Sequence, residues 1–163
     1  MKKFIFLFIL ISGFTFGQFT VSGNSNEWKT IGKHYAAIEL LTKKDSTKAI
    51  IKYVDTGAIM GNNLYTPTDR YQFEFSTEPD TLDKIYEIIV KNLKARKIQT
   101  ITLTFPEGEM YLNFDYSTFG GYYFNFQFDN NSSGLDKNAS GAKRNTYALN
   151  LERVRKLFNK PKK

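Results

Sequence analysis

Met110-Tyr111-Leu112-Asn113-Phe114-Asp115-Tyr116 and, after Gly120-Gly121, Tyr122-Tyr123-Phe124-Asn125-Phe126-Gln127-Phe128-Asp129 are the two stretches that decide the architecture. In the first, Met110, Leu112, Phe114 and Tyr116 alternate with Tyr111, Asn113 and Asp115. In the second, Tyr122, Phe124, Phe126 and Phe128 alternate with Tyr123, Asn125, Gln127 and Asp129. Alternation is the period of a β-strand, whose successive side chains point to opposite faces, so each stretch reads as a strand with one buried and one polar face. The glycine pair between them reads as a tight hairpin turn, which makes the two strands antiparallel.

The same reasoning extends in both directions. Ile101, Leu103 and Phe105 alternate with Thr100, Thr102 and Thr104, and Pro106-Glu107-Gly108 forms the next tight turn. Further upstream, Tyr71, Phe73 and Phe75 alternate with Gln72, Glu74 and Ser76. Residues 35–41 and 49–54 are two short apolar-rich strands joined by a polar hairpin loop at 42–47, after a polar lead-in at 22–26. Residues 57–69, with Gly61-Asn62-Asn63 and Pro67, read as a longer loop.

Two helices complete the inventory. Leu82, Ile85, Ile89 and Leu93 form an apolar stripe at helical spacing; Asp80 or Thr81 can cap its start, and Lys91, Lys94, Arg96 and Lys97 crowd its end, where the macrodipole favours cations. Residues 149–159 repeat the pattern with Leu151, Val154, Leu157 and Phe158, and Pro161 stops them. Residues 130–145, rich in Asn, Ser, Gly and Lys, read as a long loop. The expected fold is therefore α+β, a six-stranded, mostly antiparallel sheet with both helices on one face, in the order βββα-βββα. The helices share a register of apolar–acid–base–apolar–x–x–apolar–apolar, which opens the question of an internal duplication.

The first seventeen residues have the three parts of a cleavable signal peptide: Lys2 and Lys3, an apolar run from Phe4 to Ile11, and small residues at Thr15 and Gly17 that place the cut before Gln18. The run is about half the roughly 20 apolar residues that a membrane span needs. The expectation is a secreted or periplasmic protein, one α+β domain over 18–163 with a frayed basic tail at 160–163, and no stable membrane insertion after cleavage. The chain has no cysteine, which excludes disulfides, thiolate-ligated metals and thiol nucleophiles within it. Its formal charge of +7 is uneven. Residues 136–163 hold nine Lys/Arg against two acids, whereas 18–135 hold twelve against fourteen.

Composition narrows the chemistry. His34 is the only histidine, so a multi-histidine zinc site is impossible, and a Ser-His-Asp triad would have to use it. It reads as a surface residue beginning a strand. No serine sits in a G-x-S-x-G elbow, and no glycine pattern matches a phosphate-binding or dinucleotide loop. Neither a cofactor nor a metal is expected. The polar faces of the later strands would together display Thr102, Tyr111, Asn113, Tyr123, Asn125 and Gln127, with Thr100 and Thr104 beside them. Tyr, Asn and Thr make a flat, hydrogen-bonding contact surface of the kind used by binding proteins. The chain is expected to be an exported, non-enzymatic binding module for another envelope or secreted protein or a glycan, with these residues as its site. Two other readings compete with it. One is a carrier of a small apolar ligand between helices and sheet. The other is a small hydrolase using Glu74, Asp115 or Asp129, which requires two carboxyls roughly 5–10 Å apart. Nucleic acid is not an expected partner: the aromatics near the basic C-terminal residues, Tyr147 and Phe158, read as structural. That segment (Lys137, Lys143, Arg144, Arg153, Arg155, Lys156, Lys160, Lys162, Lys163) reads as a solvated helix face with a loose end.

Overall fold

The computed structural model describes residues 27–56, 70–129 and 143–161. The leader, the 22–26 lead-in, the 57–69 loop and most of the 130–145 loop lie outside the described residues. There are two antiparallel sheets, each a simple meander, followed in turn by a helix. Sheet A comprises β1 (Trp28–His34), β2 (Ile38–Lys43), β3 (Lys48–Val54) and β4 (Arg70–Ser76); α1 (Thr81–Lys94) follows it. Sheet B comprises β5 (Gln99–Phe105), β6 (Gly108–Ser117), β7 (Gly121–Phe128) and β8 (Arg144–Asn145); α2 (Leu151–Leu157) follows it.

The single six-stranded sheet expected from the sequence is thus wrong, and the fold is mostly β with some helix: two four-stranded sheets with two helices among the described residues. Two causes account for the error. Alternation reports that a strand has one buried face and says nothing about which strands pair, and β4 and β5, separated by α1, do not pair. The two missing strands also lack the signal. β1 buries its surface against a helix and not through a period-2 apolar pattern, and β8 is only two residues long, held by Gln127 and Phe128 of β7. The first expected strand also began too early, since Tyr35 sits in the β1–β2 turn with φ 50°.

Register explains the core. In sheet A, Leu40, Ile51 and Phe73 lie side by side, as do Ile38, Tyr53 and Tyr71. In sheet B the aligned rows are Ile101–Leu112–Phe126 and Leu103–Met110–Phe128. The two inner faces meet through aromatic rings: Phe128 lies 4.9 Å from Tyr53 and 4.8 Å from Phe73, and Phe105 lies 4.9 Å from Phe75. One hydrophobic cluster includes both inner faces together with Ile85, Ile89 and Leu93 of α1 and Val154, Leu157 and Phe158 of the α2 end.

The helices are not side by side on one sheet face. α1 follows sheet A but packs on β6 and β7 of sheet B, while α2 follows sheet B and packs on β1 of sheet A. They touch each other through Tyr86 and Phe158, 5.6 Å apart, and through Lys160 bound to Asp83 at 2.8 Å. α2 reaches β1 closely because Gly32 has no side chain there: a Cβ at that position would run into the carbonyl oxygens of Lys156 and Leu157. The caps differ from expectation at α1. Asp80 occupies the N-cap position but turns its carboxylate to Lys84, and the Thr81 hydroxyl accepts from the Glu78 amide. Asn150 caps α2 by accepting from the Arg153 amide at 3.0 Å. Both helices end alike, with a left-handed residue (Arg96, Asn159) donating to the carbonyl three residues back and its successor donating five back.

Candidate functional site

Both helices bury their apolar stripes in the cluster formed by the inner faces, so the outer face of sheet B is turned away from them. Antiparallel partners project to the same side of a sheet. The register therefore arranges the outer residues in rows: Thr102–Tyr111–Gln127–Asn145, Thr100–Asn113–Asn125, and Asp115–Tyr123. All six residues picked from the sequence, Thr102, Tyr111, Asn113, Tyr123, Asn125 and Gln127, lie on this one face. Thr100, Thr102 and Thr104 are exposed, and most of the others are half-buried.

The middle of the face is a chain of side-chain hydrogen bonds. The Thr100 hydroxyl donates to Asn113 Oδ1 at 3.0 Å, Asn113 Nδ2 donates to Asn125 Oδ1 at 3.0 Å, and Asn125 Nδ2 donates at a longer 3.4 Å to Asn145 Oδ1. This ladder crosses all four strands, and Asn125 within it is only 7% exposed. Beyond it, the Asn145 amide donates to Asp55 Oδ1 at 3.1 Å, which ties the edge of sheet B to the end of β3.

The two tyrosines belong to carboxylate clusters. The Tyr111 hydroxyl faces both Glu109 and Asp129, the latter at 3.1 Å, and the Lys143 ammonium lies 3.2 Å from the ring centre. A phenol has one hydrogen to give, so the pair of carboxylates holds it between them and the ammonium offsets part of their charge. The hydrogen bond to Glu109, followed by partial desolvation and Asp129, raises the Tyr111 phenol above its ordinary range. Tyr123 donates to Asp115 Oδ2 at 3.2 Å, and burial, followed by the charge of Asp115, raises its phenol as well. Tyr123 also lines a cleft of about 530 Å³ at the end of the sheet, with Tyr147, Asn150 and Arg153 opposite it.

The carboxylates proposed for hydrolysis do not come together. Asp115 lies opposite Tyr123, and Asp129 is six residues further along β7, about 20 Å at the usual strand rise. Glu74 is on sheet A, 2.7 Å from Lys48. Among the described residues no group of three His, Cys, Asp or Glu side chains is placed to hold a metal ion.

Other residues were misjudged or missed. His34 is not a surface residue: it is 7% exposed, with Tyr35 and Tyr147 rings 4.3 and 5.9 Å away and its Nε2 unpaired. Arg144 is also buried, with its guanidinium over Tyr71, and Lys156 and Lys160 meet Glu152 and Asp83, so the basic C-terminal segment is partly structural. Asn145, Lys143 and Glu109 join the face without being read from the sequence. Glu109 was detectable in the alternation of β6, whereas Lys143 and Asn145 lay in a stretch read as loop. No protein-family model, curated protein or solved structure matches this chain.

Proposed function

We propose that the chain is an exported, non-enzymatic binding module that engages another envelope or secreted protein, or a glycan, through the outer face of sheet B. The observation that carries this reading is the Thr100–Asn113–Asn125–Asn145 ladder, which fixes the side-chain amides of the outer face of sheet B before any partner arrives. A surface whose rotamers are already set loses less entropy on binding than a mobile one. The exposed threonines and the tyrosine rings on either side of the ladder supply hydrogen-bonding and apolar contact area. Asp115 and Asp129 are far apart, and the nearer pair, Glu109 and Asp129, is taken up by the Tyr111 hydroxyl, an arrangement that favours binding over hydrolysis. The aromatic filling between the sheets favours a surface site over an interior carrier site.

The test is a pull-down from an envelope extract with the chain from Gln18, compared with Thr102→Arg/Gln127→Arg and with Tyr111→Ala/Tyr123→Ala. The arginine pair places two long cations on the face without touching the ladder. The expected outcome is a partner retained by the wild type and lost from the arginine variant at unchanged Tm. Equal recovery by all three proteins rejects this face as the site.

A further inference from the structure

The end of sheet B that carries the β6–β7 hairpin is an aromatic tip set in a basic collar. Phe119, in that hairpin, is 102% exposed, Tyr116 beside it is 49% exposed, and Ile98, just ahead of β5, is 64% exposed. A fully exposed phenylalanine is unfavourable in water, and exposed apolar groups gathered at one end of a fold point to an interaction surface. The β5–β6 register brings the segment leaving α1 to this same end, because Gln99 pairs with Phe114. Arg96 lies with its guanidinium 5.9 Å from the Tyr122 ring, which in turn packs 5.0 Å from Tyr116. Lys94, Arg96 and Lys97 are all exposed. Asp115, an acid of β6 near this end, is engaged by the Tyr123 hydroxyl and the Tyr116 amide.

We infer that this end docks the protein on an anionic lipid surface, with Phe119 entering the headgroup–acyl boundary and the three cations resting on lipid phosphates. The combination is the chemistry of peripheral membrane attachment: an apolar element small enough to insert and basic residues at headgroup level. Charge complementarity selects lipid over a neutral apolar partner, since a purely apolar patch would not need a collar of one sign. The surface is separate from the ladder of sheet B, so docking by the hairpin leaves that face open.

Co-sedimentation tests this with the chain from Gln18, which keeps every residue of the core described above and omits the apolar leader. Vesicles of phosphatidylglycerol and phosphatidylcholine in equal parts are compared with phosphatidylcholine alone. Binding to the mixed vesicles is expected, with little to the neutral ones. Phe119→Ser weakens it about tenfold, as loss of one buried phenyl group predicts. Lys94→Glu/Lys97→Glu weakens it more, and added salt releases the wild type. Phe119→Trp shifts its emission to the blue on mixed vesicles only, against the constant signal of Trp28. Because Phe119 is fully exposed, its two substitutions leave Tm unchanged, while the glutamate pair, placed at the end of α1, lowers Tm slightly and leaves the chain folded. Failure of the wild type to bind mixed vesicles, equal binding by Phe119→Ser, or a Phe119-dependent dimer in sedimentation without vesicles would overturn the inference.

Discussion

The guanidinium carbon of Arg144 sits 3.8 Å from the centre of the Tyr71 ring, joining the two-residue strand β8 to the edge strand of the other sheet. Arg144 is 5% exposed, so this is a desolvated cation–π contact. Arg144→Ala is expected to lower stability by about 2 kcal/mol in urea unfolding. Arg144→Lys is expected to recover only part of that, because an ammonium lacks the flat face that stacks on the ring. A change within about 0.5 kcal/mol, the ordinary surface value, would return Arg144 to the solvated basic segment.

Three glycines offer a graded test of backbone packing. At Gly32 an added Cβ meets the backbone of α2, which cannot yield as a side-chain end can, so Gly32→Ala is expected to cost about 3 kcal/mol. Gly121 has φ +70° with open space around it, so Gly121→Ala is expected to cost about 1–2 kcal/mol from backbone strain alone. Gly120→Ala meets only the Ser117 side chain at 3.6 Å, and its effect should stay within about 0.5 kcal/mol. The ranking, read from urea midpoints, is the check, and a neutral Gly32→Ala contradicts the close approach of α2.

Arg96 holds a left-handed conformation, φ 53°, at the end of α1. A side chain makes that conformation unfavourable by roughly 1–2 kcal/mol relative to glycine. Arg96→Gly should therefore raise Tm, with a gain of about 1 kcal/mol once the lost helix-end charge is set against it. A lower Tm would show that the contact with Tyr122 matters more than the backbone.

His34 makes stability depend on pH. Burial, with Arg153 and Lys156 adding to it, lowers its pKa in the folded protein. In the unfolded chain an imidazole titrates near 6.5. Between those two values the unfolded state holds the extra proton, so stability rises with pH through that window. It is complete above the ordinary value and falls as acid moves the pH down through the window. Thermal melts from about pH 7 to about pH 5 should show a falling Tm, flattened in His34→Gln. Parallel curves for the two proteins would remove His34 as the cause.

The amide ladder gives a fifth outcome. Asn125→Ala leaves Asn113 Nδ2 and Asn145 Oδ1 without their partner and should cost about 1–2 kcal/mol. Thr104→Ala, exposed on the same face, should change little. Equal effects would mean that the ladder contributes nothing to the order of the face.

Local order was readable in this chain, and pairing was not. The alternation of Met110 to Tyr116 and Tyr122 to Asp129 located both strands, their turn and the face each residue occupies, because one covalent step of period two carries all of that. The inward set Tyr71, Phe73, Phe75, Leu112, Phe114, Phe124 and Phe126 joins one cluster as expected. The split into two sheets was hidden, since it depends on contacts such as Phe128 against Phe73, between residues far apart in sequence. β1 was hidden for a related reason: Gly32 carries no hydrophobic signal, and its role is set by a helix at the other end of the chain. At the candidate site, the face was legible and its internal bonding was not. Sequence placed Asn113 and Asn125 on one side, but their direct bond and the carboxylates around Tyr111 depend on register, which alternation leaves open.

The crossing of the helices bears on when the fold can be finished. β1 is made early, yet the element that covers it, α2, follows all eight described strands, and the notch at Gly32 stays open until Lys156 and Leu157 exist. A growing chain can form its hairpins one after another but cannot seal β1 before α2 has emerged. A polypeptide stalled or clipped ahead of Leu151 would keep an unsatisfied flank on sheet A, available to chaperones or to proteases. Closure therefore joins two distant parts of the sequence and is timed by the arrival of α2.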